Sequence, residues 1–200
     1  MTSYEQDAWL RYGGGNELWR ELYKPFNLIP VRGGNSGVQM FGWFNKEINS
    51  LEDLQGLTMR IPSLGGEVFR RAGGVPVTMQ VSEVFTALQT GALDATEFVS
   101  PYNDLAAGYH TVAEYYYYPG WHEPGSTLET IFNKEKFESL PKDLQEILMA
   151  GTEIMNQLLL DELMAKNNEA LRVLVEEHGV QLRKLPNDVL TELHRISEEE

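Results

Sequence analysis

Between residues 50 and 118 the sequence alternates short extended patterns with single short helical patterns. Extended segments at 57–61, 75–79 and 93–99 are separated by helical segments, and Gly91 is placed to end one of them. Before them, a glycine-rich loop is expected at 33–37 and a further strand at 38–44. Glycine just past the last helical residue is a common helix stop. Such alternation predicts a parallel or mixed sheet with helices on both faces. The expected fold class is therefore α/β.

The C-terminal third of the sequence has a different pattern. Pro141 can open a helix, and apolar residues then recur at helical spacing as far as Leu163. The helical pattern continues to about Glu177, and Gly179 is placed to end it. We expect a helix far longer than the average of ~11–12 residues, long enough to bridge two lobes.

Composition limits the possible partners. Two hundred residues allow one large domain or two small ones. The net charge of −14 argues against nucleic acid or anionic lipid as a partner. Because cysteine is absent, thiolate metal sites, cysteine nucleophiles and disulfides are excluded. No apolar run approaches the ~20 residues of a spanning helix, and the polar first residues predict no signal peptide within this chain.

Common catalytic motifs are missing from the sequence. There is no phosphate-binding loop, dinucleotide fingerprint or HExxH helix. The four histidines are widely spaced, and no Ser/His/Asp arrangement is recognisable. We therefore expect a binding protein that is not an enzyme. Two alternatives stay open: an α/β enzyme acting on a carboxylate substrate with a metal at Glu97, and the ligand-sensing domain of a regulator, which would need a DNA-binding segment.

Three polar residues are expected at the ends of strands: Gln39, Arg60 and Glu97. Ligands of open α/β sheets bind at the carboxyl ends of strands. The guanidinium of Arg60 stays charged and can bind a carboxylate through two parallel hydrogen bonds. The side-chain oxygens of Gln39 and Glu97 suit a hard cation such as Na⁺ or Ca²⁺. Two interpretations remain: a site for an organic acid with a cation, or an Arg60–Glu97 ion pair that only stabilises the sheet.

Aromatic residues are concentrated around the same predicted strands. They include Trp43, Tyr102, Trp121 and the run at 115–118. Aromatic rings with polar tips can form the wall of a cleft around a small ligand. The same residues can equally form the core of the sheet, and the sequence leaves both interpretations open.

Four of the segments discussed above also resemble a known family. The segments 34–44, 51–62, 87–97 and 115–125 resemble, in that order, the solute-binding subunits of TRAP transporters. The likeness runs over essentially the whole chain and is closest to the branch that binds 2-oxo acids or lactate. It implies a periplasmic-binding-protein-like fold of two α/β lobes with a cleft at the hinge. It also implies a periplasmic receptor, with no organic cofactor, that passes organic acids to sodium-driven membrane subunits.

The resemblance implies a role for each matching residue. Arg60 corresponds to the arginine that pairs with the ligand carboxylate. Gln39 and Glu97 correspond to side chains that coordinate a cation, Na⁺ or Ca²⁺, bridging to the ligand. Phe98 stands where tryptophan is usual, and its backbone carbonyl is the third expected metal ligand. Further candidates for the substrate-binding wall are Tyr102, Asn103, Trp121 and His122.

The same resemblance implies that one lobe is incomplete. Members of this family begin with a leader and opening βαβ units, and this chain starts after them. The implied division assigns 1–37 to the remainder of lobe I, 38–124 to lobe II, 125–165 to a return to lobe I with the long helix, and 166–200 to a return to lobe II. An incomplete lobe exposes apolar surface, and a homodimer is one way to cover it.

Overall fold

The protein is described by a computed structural model of residues 1–200, with eight helices and eight strands. The helices are α1 (Ser3–Tyr12), α2 (Gly15–Tyr23), α3 (Ser63–Arg71), α4 (Val81–Thr90), α5 (Pro101–Ala107), α6 (Lys134–Glu138), α7 (Lys142–Glu176) and α8 (Asn187–Glu199). The strands are β1 (Leu28–Asn35), β2 (Gly42–Phe44), β3 (Thr58–Arg60), β4 (Val75–Val77), β5 (Ala95–Thr96), β6 (Tyr115–Tyr118), β7 (Thr127–Asn133) and β8 (Gln181–Lys184).

The chain forms two compact units, each built from two segments. Unit 1 contains Met1–Val38 and Pro124–Ala165, and unit 2 contains Gln39–Glu123 and Lys166–Glu200. These divisions fall within one residue of the lobe boundaries implied by the family resemblance. The assignment of unit 1 to lobe I and unit 2 to lobe II stays a prediction.

Unit 2 is built on a six-stranded sheet in the order β4-β3-β5-β2-β6-β8. Strand β3 is parallel to β4 and β5, and β6 is parallel to β8, whereas β2 is antiparallel to both β5 and β6. The predicted α/β class with a mixed sheet is confirmed. Because β2 runs in the opposite direction, the residues before β2 lie at the same edge as the residues that follow β3, β5 and β6. This edge is called the site edge below.

The sheet of unit 2 is buried on both faces. Neighbouring residues of a strand point to opposite faces, and Phe44 and Tyr117 lie in one apolar cluster while Trp43 and Tyr116 lie in the other. Helices α3 and α8 cover the first face and α4 covers the second. A strand buried on both sides needs a continuous apolar run, which accounts for the tyrosines of β6. Trp43, Tyr116 and Tyr117 therefore form core, one of the two interpretations that the sequence left open, whereas Tyr118 is exposed.

The predicted strands of unit 2 are all shorter than expected, and two of them differ most. The extended pattern at 38–44 forms a strand only from Gly42, and the pattern at 93–99 forms one only at Ala95–Thr96. Gly42 has φ +136°, and a Cβ there would lie 2.1 Å from the carbonyl oxygen of Thr96. Strands β2 and β5 lie too close together at this point for a residue that has a Cβ atom. The backbone N–H groups of residues 39–41 donate to three different segments, so the regular hydrogen bonding of the strand does not extend through them.

Unit 1 contains the antiparallel pair β1–β7, with a bulge between Arg32 and Gly34. The sequence suggested a loop at 33–37, but β1 continues to Asn35. The glycines there mark close packing instead, because a Cβ at Gly33 would lie 2.0 Å from Oγ1 of Thr130 on β7. Glycine inside a strand commonly has this meaning.

The long helix predicted after Pro141 is confirmed as α7, which has 35 residues. It runs through Gly151 without interruption, and Gly179, with φ +69°, follows its end. Its residues up to Ala165 belong to unit 1, and those from Lys166 onward belong to unit 2. Neither α7 nor any other helix of the structure combines the length and apolar character needed to cross a membrane.

Candidate functional site

The candidate site lies at the site edge of unit 2. Arg60 is the last residue of β3, and Glu97 directly follows β5. These strands are parallel neighbours with Arg60 opposite Thr96, and the backbone N–H of Glu97 donates to the carbonyl oxygen of Arg60 at 3.1 Å. Parallel pairing therefore brings the two charged side chains, 37 residues apart in sequence, to the same edge.

Arg60 and Glu97 form a direct ion pair. Nη1 of Arg60 donates to Oε1 of Glu97. The side chain of Glu97 is only 4% exposed and that of Arg60 is 16% exposed. A buried carboxylate needs such a partner, because desolvation of an unpaired charge is very costly. A guanidinium has five N–H donors, so this bond leaves donors of Arg60 for a second carboxylate.

His122 lies beside this ion pair without a hydrogen bond of its own. Its side chain is 4% exposed, and its Nε2 lies 3.8 Å from Oε2 of Glu97, beyond hydrogen-bond distance. Neither ring nitrogen has a partner, and neither has Nε1 of the adjacent Trp121. A buried polar group without a partner costs about 1–3 kcal/mol. Such groups are typical of positions where water or a ligand completes the bonding.

Gln39 reaches the same edge from the segment before β2. It is buried, and its Nε2 donates to Oε2 of Glu123 at 2.5 Å. Two backbone bonds hold it there: its N–H donates to the carbonyl of Glu123 at 3.3 Å, and its carbonyl accepts from Gly120 at 3.1 Å. Since Gly120 follows β6, this pairing joins the segments that flank β2 and β6.

Glu123 belongs to this group although the sequence did not indicate it. Burial raises the pKa of Glu123 above its ordinary value, and Glu97 raises it further, whereas His122 and Arg60 lower it. These opposing effects place Glu123 within electrostatic reach of the Arg60–Glu97 pair. The available signal was its position directly after His122, where a charged residue interrupts an aromatic and glycine-rich segment.

Three other predicted residues, Phe98, Tyr102 and Asn103, pack or bond against elements outside the Arg60–Glu97 pair. The ring of Phe98 packs edge-on against Tyr109 at 5.4 Å, within the second apolar cluster. Tyr102 bonds to α7, with its N–H donating to Oδ1 of Asn167 at 3.0 Å. Asn103 accepts from the hydroxyl of Ser100 at 3.2 Å, at the start of α5. The assignment of all eight candidates as ligand-binding residues stays a prediction.

Asp104 supports the site edge from within the second apolar cluster. One of its oxygens accepts from the hydroxyl of Tyr116 at 2.7 Å and from the indole N–H of Trp43 at 2.9 Å. The other accepts from the backbone N–H of Val99 at 3.2 Å. Burial raises the pKa of Asp104 to about 6, although these hydrogen bonds lower it. The carboxyl group thus connects the segment after Glu97 to β2 and β6.

The donor set at the edge fits a hard cation. No group of three or more His, Cys, Asp or Glu side chains has a metal-binding arrangement, so a cation site here must also use amide and backbone oxygens. Gln39, Glu97 and the carbonyl of Phe98 offer such oxygens, which suit Ca²⁺ or Na⁺ rather than a transition metal. Glu97 is buried with a carboxylate charge that a cation would compensate together with Arg60.

Four surface cavities lie elsewhere in the two units. The one in unit 2, of about 620 Å³, lies beside His110 and His178, and those of about 570, 330 and 230 Å³ lie in unit 1. None of the eight predicted residues lines their walls. The site edge is therefore distinguished by buried charges and unpartnered polar groups, not by one of these cavities.

Comparison with known proteins gives consistent matches along the chain. A monocarboxylate 2-oxoacid-binding periplasmic protein of Nostoc sp. is 41% identical over 197 residues, which cover 98% of this chain and 54% of that protein. The TRAP periplasmic solute-binding protein of Colwellia psychrerythraea, solved with bound calcium and pyruvate, is 41% identical with a TM-score of 0.93, covering 100% of this chain and 61% of that one. That of Pseudoalteromonas atlantica T6c, solved with bound sodium and pyruvate, is also 41% identical with a TM-score of 0.92, covering 100% and 60%.

The chain thus spans a little over half the length of these relatives. Residues 1–199 match the family described as bacterial extracellular solute-binding protein, family 7, also named DctP. The predicted family resemblance and the two-lobed type of fold are confirmed by these matches. The chain belongs to the DctP family of bacterial extracellular solute-binding proteins.

Proposed function

We propose that this chain acts within the solute-binding subunit of a TRAP transporter and binds a small 2-oxo or 2-hydroxy monocarboxylate together with a cation. The observation that carries the proposal is the buried Arg60–Glu97 pair beside His122, whose ring nitrogens have no partner. Proteins 41% identical to this chain have been solved with pyruvate and either calcium or sodium.

The charges at the site edge define how the ligand would bind. Arg60 would receive the ligand carboxylate on the N–H groups that Glu97 does not use. An anion bound there would be repelled by Glu97 unless a cation lies between them. Gln39, Glu97 and the carbonyl of Phe98 would hold that cation, which supplies positive charge to the ligand's oxygens when bound. His122 would donate to the 2-oxo or 2-hydroxy oxygen.

The remaining roles of this proposal are those that the family resemblance implies. Trp121, with its unpartnered N–H, together with Tyr102 and Asn103 would complete the wall of the site. Units 1 and 2 would be the two lobes of the receptor. The receptor would work in the periplasm, deliver its ligand to TRAP membrane subunits without chemical turnover, and form a homodimer.

Calorimetric titration of the chain with pyruvate and lactate, with and without Ca²⁺ or Na⁺, tests this proposal. We expect binding only when a cation is present. Arg60→Lys keeps the charge but loses the paired hydrogen bonds, so affinity should fall roughly 10-fold or more. The matched control is Arg70→Lys, which changes an exposed arginine on α3 that pairs with Glu67.

Unchanged affinity in Arg60→Lys would disprove the role of Arg60. The enzyme alternative is tested in the same samples, because NMR spectra of pyruvate incubated with protein and cation should show no new product. Turnover that depends on Glu97 would favour the metal-dependent enzyme instead.

A further inference from the structure

The contact between Gln39 and Glu123 extends the candidate site by one residue. The two lie 84 residues apart, and the buried side chain of Gln39 meets the half-buried side chain of Glu123 at 2.5 Å. A second contact between their backbones, from N–H of Gln39 to the carbonyl of Glu123, fixes the two segments relative to each other. The side-chain bond therefore fixes the orientation of the Gln39 amide, which the backbone pairing alone does not determine.

The chemistry of the two groups gives this bond a direction. A carboxylate only accepts hydrogen bonds, whereas a primary amide has a donating nitrogen at one end and an accepting oxygen at the other. Glu123 can therefore bind only the NH₂ end of the Gln39 amide. The oxygen of the amide is consequently held on the side facing away from Glu123.

We propose that Glu123 is a positioning residue of the cation site, which holds the Gln39 amide so that its oxygen, and not its NH₂ group, is offered to the cation. This inference rests on the proposed function, because it assumes that Gln39 coordinates a cation. Outer residues that orient metal ligands commonly change metal affinity 10–100-fold when they are replaced. Glu123 thereby joins Arg60, Glu97 and Gln39 among the side chains of the site edge.

The position of Gly120 shows that the supporting loop is built closely around Gln39. A Cβ at Gly120 would lie 2.4 Å from the carbonyl oxygen of Gln39. The loop from Gly120 to Glu123 therefore approaches Gln39 with its backbone, and the Glu123 side chain completes the contact. Replacing that side chain leaves the backbone contacts in place, so its role can be tested without removing the loop.

The test compares Glu123→Gln with Glu114→Gln. Glu114 also accepts from a glutamine amide, that of Gln181, but it precedes β6 and so lies at the opposite edge of the same sheet. Calcium affinity is measured by calorimetry with and without pyruvate. A glutamine at 123 can donate or accept, so the Gln39 amide is no longer forced into one orientation. We expect calcium affinity to fall about 10-fold or more in Glu123→Gln and to stay unchanged in Glu114→Gln.

A double-mutant cycle with Gln39→Ala separates positioning from a direct charge effect. If Glu123 acts through Gln39, Glu123→Gln should cause little further loss once Gln39 is absent. Equal losses in both backgrounds would overturn the positioning role. The side-chain NH₂ resonance of Gln39, identified by its absence in Gln39→Ala, should shift in Glu123→Gln without calcium, and an unmoved resonance would likewise overturn it.

The outcomes distinguish this inference from the proposed function. Calcium and pyruvate binding with equal affinities in both glutamate variants would overturn the inference alone. Calcium binding that depends on Glu123, without any binding of a 2-oxo or 2-hydroxy acid, would support the inference and disprove the proposed ligand. Absence of both calcium and acid binding would overturn both.

Discussion

Each of the two units contains a buried arginine, but the groups around the two arginines differ. Arg32 in unit 1 is 1% exposed and pairs with Asp7 at 2.9 Å and with Glu153 at 2.6 Å. Glu153 also binds Arg11, so two arginines face two carboxylates. Arg60 in unit 2 faces the carboxylate of Glu97, with Glu123 also within electrostatic reach.

This difference separates a structural ion pair from a candidate site. The unit 1 group balances its own charge and connects β1, α1 and α7. At the site edge Arg60 pairs with Glu97, the charge of Glu123 acts on the same groups, and His122 lies beside the pair without a hydrogen-bond partner. A buried excess of negative charge is costly, and a bound cation would reduce it. Burial of an arginine alone therefore does not identify a ligand site. The site is identified by neighbouring carboxylates whose charge the arginine does not balance and by polar groups without a hydrogen-bond partner.

The largest effect is expected from replacing either arginine by methionine. Breaking a buried pair by removing one partner costs about 3–5 kcal/mol of unfolding free energy. Arg60→Met leaves Glu97 unpaired and only 4% exposed, so the loss of unfolding free energy should lie near the upper limit of this range. Arg32→Met leaves Asp7 and Glu153, which are 21% and 38% exposed and can hydrate, so its loss should lie near the lower limit.

Urea unfolding with calcium or with a chelator then tests the comparison directly. Calcium should restore part of the stability lost in Arg60→Met, because it would lie beside the unpaired Glu97. It should restore none of the loss in Arg32→Met. If calcium affects both variants equally, the distinction between the two arginines is wrong.

A smaller effect, dependent on pH, is expected from Asp104 beneath the site edge. Its pKa of about 6 in the folded protein exceeds the ordinary value of 3.8. The folded state therefore binds the proton more tightly, and the contribution of Asp104 to stability is complete below pH 3.8 and is lost as pH rises through 6. Between pH 7 and pH 5 the wild type should gain about 1 kcal/mol from this group.

Comparison with Asp104→Asn isolates this contribution, because asparagine does not titrate. The difference in unfolding free energy between wild type and variant should change by about 1 kcal/mol between pH 7 and pH 5. Asp161→Asn, which alters an exposed residue of α7, serves as the control for the substitution itself. Parallel pH profiles for wild type and Asp104→Asn would contradict the expectation.

Sequence patterns predicted the parts of this molecule that depend on neighbouring residues. Helical spacing and a terminal glycine predicted α7, and the strand-then-helix alternation placed Arg60 at the end of β3. The same kind of local pattern predicted too long a strand ending at Phe44. An apolar run does not reveal that the backbone at Gly42 lies very close to that of Thr96. This close approach depends on a partner strand more than 50 residues away in the sequence.

The supporting residues of the site were missed for a similar reason. Glu123 binds a side chain 84 residues away, and Asp104 binds Trp43 at a separation of 61 residues. Neither contact leaves a periodic signal in the sequence, because each depends on the antiparallel direction of β2 within the sheet. Gln39 was predicted at a strand end from the sequence pattern and again from the family resemblance, and the topology explains why it reaches the same edge as Arg60.

The smallest effect should come from Arg11, the exposed arginine that shares Glu153 with Arg32. Its side chain is 45% exposed, and exposed ion pairs typically contribute less than about 1 kcal/mol. Arg11→Ala should therefore lower the unfolding free energy by less than 1 kcal/mol, and added salt should remove the difference. The loss in Arg32→Met should persist in salt, because burial protects that pair from screening. If Arg11→Ala proved as costly as Arg32→Met, the unit 1 group would act as one cooperative network, and the separation between its buried and exposed pairs would fail.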